Sequence, residues 1–140
     1  MPKGLVTIGE FAFANCINLN NITVPNDVTF IGNSAFGPNV ESIDLGTNDH
    51  FQLLDGVLYD KPTTKIICVT QNVPEHLVIM DGVTEITGVF KNCTKLKSVT
   101  IPNSVTYLGS EAFTNCSNLT EVTIPNSVLT IENAFSYCTS

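Results

Sequence analysis
A unit of 23 residues recurs along this chain, and that period leaves few ways to fold it. The stretch from Leu96 to Cys116 carries Val99-Thr-Ile101-Pro102-Asn-Ser-Val105, then Leu108, then Ala112-Phe113. It returns from Leu119 to Cys138 as Val122-Thr-Ile124-Pro125-Asn-Ser-Val128, Ile131 and Ala134-Phe135, with one residue deleted before Ala134. An earlier copy holds Leu19, Ile22, Val24-Pro25-Asn-Asp-Val28, Ile31 and Ala35-Phe36, and a partial copy before it holds Leu5, Ile8, Ala12-Phe13 and Cys16. Leu77, Ile79, Val83, Ile86 and Phe90 stand at the same offsets, with one deletion before Phe90. A unit of this length cannot bury its own apolar edge, so the copies must stack on one another.

Inside each unit the Val-Thr-Ile type of triplet alternates with period two and is β-branched, which predicts a short strand with one buried face. The Pro-Asn-Ser or Pro-Asn-Asp that follows stops it, because proline has no amide hydrogen for the ladder and Asn, Asp and Ser favour turns. The second half, Val105 to Phe113, is too short for a helix and predicts turns or a little 3₁₀ structure. Stacked in register, the strands make a parallel sheet with a spacing of about 4.8 Å. Ile22, Val24, Ile43, Leu45, Val99, Ile101, Val122 and Ile124 are then expected to point inward, with the Ala-Phe pairs filling the far side. The expected fold is a β-rich solenoid, grouped by convention with the α/β class, with a concave parallel sheet and a convex side of turns or 3₁₀ structure. We expect one solenoid over residues 1–140, regular over 4–45 and 75–140 and irregular over 46–74. In the irregular part, Phe51 to Asp60 and Lys65 to Val69 read as strands joined by tight turns, predicting a β-hairpin.

The string Ile-Pro-Asn-Ser-Val-Thr-Tyr-Leu-Gly-Ser-Glu-Ala-Phe-Thr-Asn-Cys-Ser-Asn-Leu, residues 101–119, resembles the BspA-like leucine-rich repeats of surface proteins from mucosal bacteria and protozoan parasites. Asp55-Gly-Val-Leu-Tyr59 is similar to the interrupted repeats of that family. The resemblance covers nearly the whole chain. It implies a parallel-sheet solenoid, a cell-surface or secreted location, and adhesion to host proteins or other cells; it supplies no ligand. One departure is Phe36-Gly-Pro-Asn39-Val40, where Asn stands in place of the expected Cys and the path to Ile43 is short, so different local packing is expected there.

Charge narrows the partners. Thirteen acidic residues against six lysines, with no arginine, give a net charge of −7, the wrong sign for phosphate backbones and anionic membranes. No apolar run approaches the roughly 20 residues of a spanning helix, and the first ten residues lack the continuous apolar stretch of a signal peptide. Cys16, Cys93, Cys116 and Cys138 each follow a repeat phenylalanine by three positions, which reads as a small buried thiol filling one repeat position. Stacked repeats also bring such thiols within bridging range, so pairing stays open. One Cys per repeat lacks the close pairs that zinc requires, and no metal or other cofactor is expected. His50 and His76 read as solvated surface residues. With no nucleophile elbow, phosphate loop or glycine fingerprint, no enzyme is expected.

The outward strand positions remain as the expected binding surface: Asn21, Thr23, Ser42, Asp44, His76, Val78, Ser98, Thr100, Glu121 and Thr123. Stacking places them in columns, a mostly polar strip of the kind solenoids present to protein ligands. The competing reading is that short polar residues merely solvate the sheet. Neither end shows a polar cap, so the chain is expected either to be a segment of a longer protein or to cover its ends by association, including with itself. That leaves a structural spacer or self-assembling module as the second expectation for function.

Overall fold
A computed structural model describes residues 1–62 and 64–140. Among them are thirteen short strands and no helix. Contacts divide the chain into two compact units, the first Met1–Pro62 with Ile66–Asn72, the second built on Val73–Ser140. The first holds β1 (Thr7–Ile8), β2 (Asn21–Thr23), β3 (Phe30–Ile31), β4 (Ser42–Asp44), β5 (Phe51–Leu54), β6 (Val57–Asp60) and all but the first residue of β7 (Lys65–Val69). The second holds β8 (His76–Val78), β9 (Glu85–Ile86), β10 (Ser98–Thr100), β11 (Tyr107–Leu108), β12 (Glu121–Thr123) and β13 (Thr130–Ile131).

Each unit is a stack of coils. In the first, β2 pairs with β4 in parallel and brings Ile22 opposite Ile43. In the second, β8, β10 and β12 form a parallel sheet in which Leu77, Val99 and Val122 share a register. Ile22, Ile43, Leu77 and Val99 are the buried members of their triplets, Val122 is half-buried, and the flanking side chains point out, as the period of two requires. Proline then ends the strand and starts a turn: the amides of Val28, Val105 and Val128 donate to the carbonyls of Pro25, Pro102 and Pro125 at 3.1, 3.1 and 3.2 Å.

The second half of each coil contains turns but, among the described residues, no 3₁₀ segment. Instead it contributes a second parallel ladder of two-residue strands. β1 pairs with β3, and β9, β11 and β13 line up Ile86, Leu108 and Ile131. Stacking in register sets the amides and carbonyls of these extended pairs against those of the next coil, so inter-coil bonds replace the local ones of a 3₁₀ turn. One residue per coil just before the Ala-Phe pair takes a left-handed backbone: Phe11 (φ 56°), Ser34 (50°), Glu111 (63°) and Asn133 (44°).

The predicted inward residues Ile22, Val24, Ile43, Val99 and Ile101 are buried, and Leu45 and Val122 are half-buried. Ile124 departs from the expectation and is 42% exposed, because its coil has a neighbour on one side only, β12 pairing with β10 alone. On the far side the phenylalanines stack as columns. Phe90 and Phe113 have ring centroids 5.0 Å apart and nearly parallel planes; Phe113 and Phe135 lie 5.3 Å apart; in the first unit Phe13 and Phe36 lie 6.1 Å apart.

The irregular stretch folds as expected into a hairpin. β5 and β6 are antiparallel and turn at Asp55-Gly56, both with positive φ (49° and 74°), the geometry of a type I′ turn; β7 lies beside β6. Phe51, Leu58 and Ile67 from this sheet join Ile22, Ile43 and Ile31 in one core, so the insertion supplies apolar cover for the coils.

Two glycines at the same repeat position test how closely coils approach. A Cβ on Gly32 would fall on the backbone of Glu10 in the adjoining coil, 2.7 Å from its Cα. On Gly109 it would meet side chains instead, Thr87 and the ring of Tyr107. The Glu10 backbone is flanked by inter-coil bonds, Gly32 N–H to the Ile8 carbonyl and Phe11 N–H to the Asn33 carbonyl, and has less room to step aside than side chains have, so Gly32→Ala is expected to cost about 1–3 kcal/mol. Gly109→Ala should stay within about 1 kcal/mol. Urea unfolding of both variants measures the contrast, and equal costs would mean that coil spacing is not the constraint.

Candidate functional site
All ten outward strand residues lie at strand positions, and register gathers them into columns within each unit. In the first unit Asn21 stands opposite Ser42 and Thr23 opposite Asp44. The Ser42 hydroxyl donates to Asn21 Oδ1 at 2.6 Å, and Asp44 Oδ1 accepts the Gly46 amide at 2.9 Å, so the column is tied together and Asp44 also braces the turn after its strand. In the second unit one column runs His76, Ser98, Glu121 and the other Val78, Thr100, Thr123. His76 Nδ1 and Ser98 Oγ are hydrogen-bonded at 2.7 Å, with the donor set by the ring tautomer. Ser98 is half-buried and the other nine are exposed, Val78 at 63% forming an apolar point in a polar field.

Just before β8 and β10, Glu75 and Lys97 form an ion pair at 2.8 Å. The Lys97 hydrogen bond and charge, with a smaller pull from His76, hold the Glu75 carboxyl below the usual carboxylate range. The faces therefore offer hydroxyls, an amide, carboxylates and an imidazole on a rigid ladder. That chemistry suits hydrogen bonding to a broad, polar partner surface.

The repeat cysteines divide by their neighbours. All five thiols are free. Cys116 has coils on both sides, is fully buried, and donates its thiol to the Phe90 carbonyl at 3.1 Å; Cys138 does the same to Phe113 at 3.2 Å. Burial pushes the thiols of Cys68 and Cys93 up to about 12 and that of Cys116 to about 11, which keeps them protonated and poorly nucleophilic. Cys93 and Cys138 are half-buried, and Cys16 departs furthest from the expectation of a buried thiol at every repeat. It is exposed, because the coil beside it runs only four positions from Phe36 to Val40, against six from Phe113 to Leu119.

That shortened coil also corrects the alignment of Asn39. Its side-chain amide donates to the Ile17 carbonyl at 2.7 Å, as Asn118 donates to Thr94 at 2.7 Å, each acceptor being the residue after a repeat cysteine. Asn39 thus does the work of Asn118, and the cysteine position is simply absent from its coil. Asn115 likewise donates to Asn92 Oδ1 at 3.0 Å. Of the histidines, His76 is exposed as expected, whereas His50 is half-buried with its ring against Phe51.

A stack of coils carrying three-residue parallel strands, an interior of Leu, Ile and Val, and a polar outer strand face defines a leucine-rich repeat protein. The sequence matches the BspA type leucine rich repeat region over residues 1–74 and 72–140, in six copies, and the chain belongs to that family. No curated protein matches it.

Among solved structures, a leucine rich cell surface protein from Faecalibacterium prausnitzii is similar with a TM-score of 0.79 and 24% identity, over 99% of this chain and 44% of that one. The pneumococcal vaccine antigen PcpA is similar with a TM-score of 0.75 and 28% identity, over 89% of this chain and 32% of that one. A leucine-rich repeat protein from Eubacterium ventriosum gives 0.74 and 23% identity, over 99% of this chain and 45% of that one. The chain thus spans less than half of each of these proteins. Members of this repeat class are typically binding scaffolds rather than catalysts. Among the described residues no helix is long and apolar enough to cross a membrane.

Proposed function
We propose that the chain is a protein-binding or adhesion module of a surface or secreted repeat protein, and that it binds through its outer strand faces. The observation that carries this reading is the pair of exposed columns His76–Ser98–Glu121 and Val78–Thr100–Thr123, with Asn21–Ser42 and Thr23–Asp44 as their counterparts in the first unit. The similarity to a protein described as a cell surface protein supports the location. No catalytic step and no cofactor enter this reading.

The double variant Thr100→Arg, Thr123→Arg places two large cations on neighbouring rungs of one column, where two small exposed hydroxyls stood. Immobilised host extracellular-matrix and cell-surface proteins are screened against the wild type, and the double variant is then titrated on each protein that binds. We expect affinity to fall by about tenfold or more while thermal unfolding is unchanged. Undiminished binding by the double variant would remove the strand face as the contact surface.

A self-assembling repeat module is the second reading. It is supported by Leu129, whose apolar side chain is 82% exposed. Light scattering over a range of concentrations separates the two: a mass that grows with concentration supports assembly between copies, and a constant monomer mass rejects it.

A further inference from the structure
In the first unit a cleft of about 430 Å³ opens where the chain enters β2 and β4, lined by Ile17, Asn18, Asn20, Asn39, Glu41 and Gln71. Its origin is a length difference between adjoining coils. Six positions separate Phe13 from Leu19 in one coil, but only four separate Phe36 from Val40 in the next. Two residues that would fill this level of the stack are missing, and the residues around the gap form its walls.

Those walls are held before any ligand arrives. Asn39 Nδ2 donates to the Ile17 carbonyl at 2.7 Å, and the amides of Glu41 and Ser42 both donate to the Asn20 carbonyl, at 2.7 and 3.1 Å. The Glu41 carbonyl accepts the side-chain amide of Asn72 at 2.8 Å. The Gln71 backbone amide donates to Val40 at 2.8 Å and its side-chain amide to Pro38. These bonds fix the backbone of the walls and the side chains of Asn39 and Gln71, so that part of the cleft loses little freedom on binding.

The lining chemistry narrows that ligand. Four primary amides and one carboxylate surround a single aliphatic side chain, Ile17, which is 64% exposed. With Glu41 in the wall, no lining cation and a net charge of −7, an anion is repelled. One aliphatic residue is too little to hold an apolar molecule, and one carboxylate too little for a calcium site. Amide side chains, however, present two donors and an acceptor in one plane, and a carboxylate presents two acceptors. Vicinal hydroxyls on a pyranose ring, each able to donate and accept, match such forks.

We propose that this cleft is a binding site for a neutral saccharide of about one or two sugar residues. The side chains of Asn18, Asn20 and Glu41 take the hydroxyls, and Ile17 covers a C–H face of the ring. The site is independent of the strand-face reading, since it shares no residue with that strip.

The full chain is probed on an array of neutral glycans ending in glucose, galactose, mannose or N-acetylhexosamines, and the strongest binder is titrated by saturation-transfer NMR. Binding is expected for the wild type and for the Thr100→Arg, Thr123→Arg variant alike. The Asn18→Ala, Asn20→Ala double variant and Glu41→Gln are each expected to weaken it by about tenfold or more. Both alter exposed side chains and leave the backbone bonds in place. Inserting Cys-Ser after Pro38, which restores the length of the coil, should fill the cleft and abolish binding; if that insertion fails to fold, the alanine and glutamine variants decide. An array with no binder overturns the proposal, as does a glycan bound equally well by Asn18→Ala, Asn20→Ala. Calcium chloride alone binding to the same residues also overturns it.

Discussion

Phe113→Ala is expected to destabilise the second unit by about 3–5 kcal/mol. Phe113 is fully buried and sandwiched, with Phe90 on one side at 5.0 Å and Phe135 on the other at 5.3 Å, all three rings within 6° of parallel in each pair. Removing the ring therefore opens a cavity that neither neighbour can close, because each is pinned by its own coil, and it cancels two stacking contacts at once. Phe135, on a coil with one neighbour and half-buried, should cost clearly less when truncated. Urea unfolding followed by far-ultraviolet circular dichroism measures both. A loss under about 1 kcal/mol at Phe113 would mean that the aromatic column is not the core of the far side.

Asn48→Leu is expected to cost about 2–4 kcal/mol, although it swaps one buried side chain for another of similar size. Asn48 is 6% exposed, and its amide nitrogen reaches three carbonyls of the neighbouring turn: Val28 at 2.8 Å, Pro25 at 2.9 Å and Asn26 at 3.4 Å. Its Oδ1 accepts the His50 amide at 3.0 Å. The bond to Val28 is buried, so leucine would leave a carbonyl with no partner and no water. Asn26→Ala serves as the control, because it removes only an exposed bond from the Thr47 amide and should change stability by about 0.5 kcal/mol or less. If Asn48→Leu proved as mild as Asn26→Ala, the buried amide would not be the clamp between these two turns.

Phe113 has a sequence signal, and Asn48 has none. Phe113 is legible because its copies recur one period apart with alanine beside them. Asn48 lies in the stretch where the repeat fails. Its backbone amide donates to the Leu45 carbonyl as that of Val28 donates to the Pro25 carbonyl, so it occupies the place of a buried valine with a polar side chain. Nothing nearby in sequence distinguishes it from Asn26 or Asn39. The strand columns were legible for the same reason as Phe113: alternation within Val-Thr-Ile assigns the middle residue inward and its flanks outward wherever the triplet occurs. The cleft was not legible. Phe36-Gly-Pro-Asn39-Val40 showed that a coil was short, yet the gap is bounded by Asn18, Asn20 and Gln71 from other coils, which the sequence keeps apart.

The repeat period and the alternation within it determined, from the sequence alone, that this chain stacks short parallel strands with Ile22, Ile43, Leu77 and Val99 inside and their neighbours outside. Those are properties of single units, set by local chain geometry and by the need to bury an apolar edge. Tertiary structure alone decided which equivalent residues are treated differently. It left Ile124 exposed while burying Ile101, exposed Cys16 while burying Cys116, drew Asn48 beneath a turn, and opened a polar cleft beside a coil two residues short. Burial of a side chain in a stacked fold is set by the coil above and the coil below, and their lengths belong to distant parts of the chain.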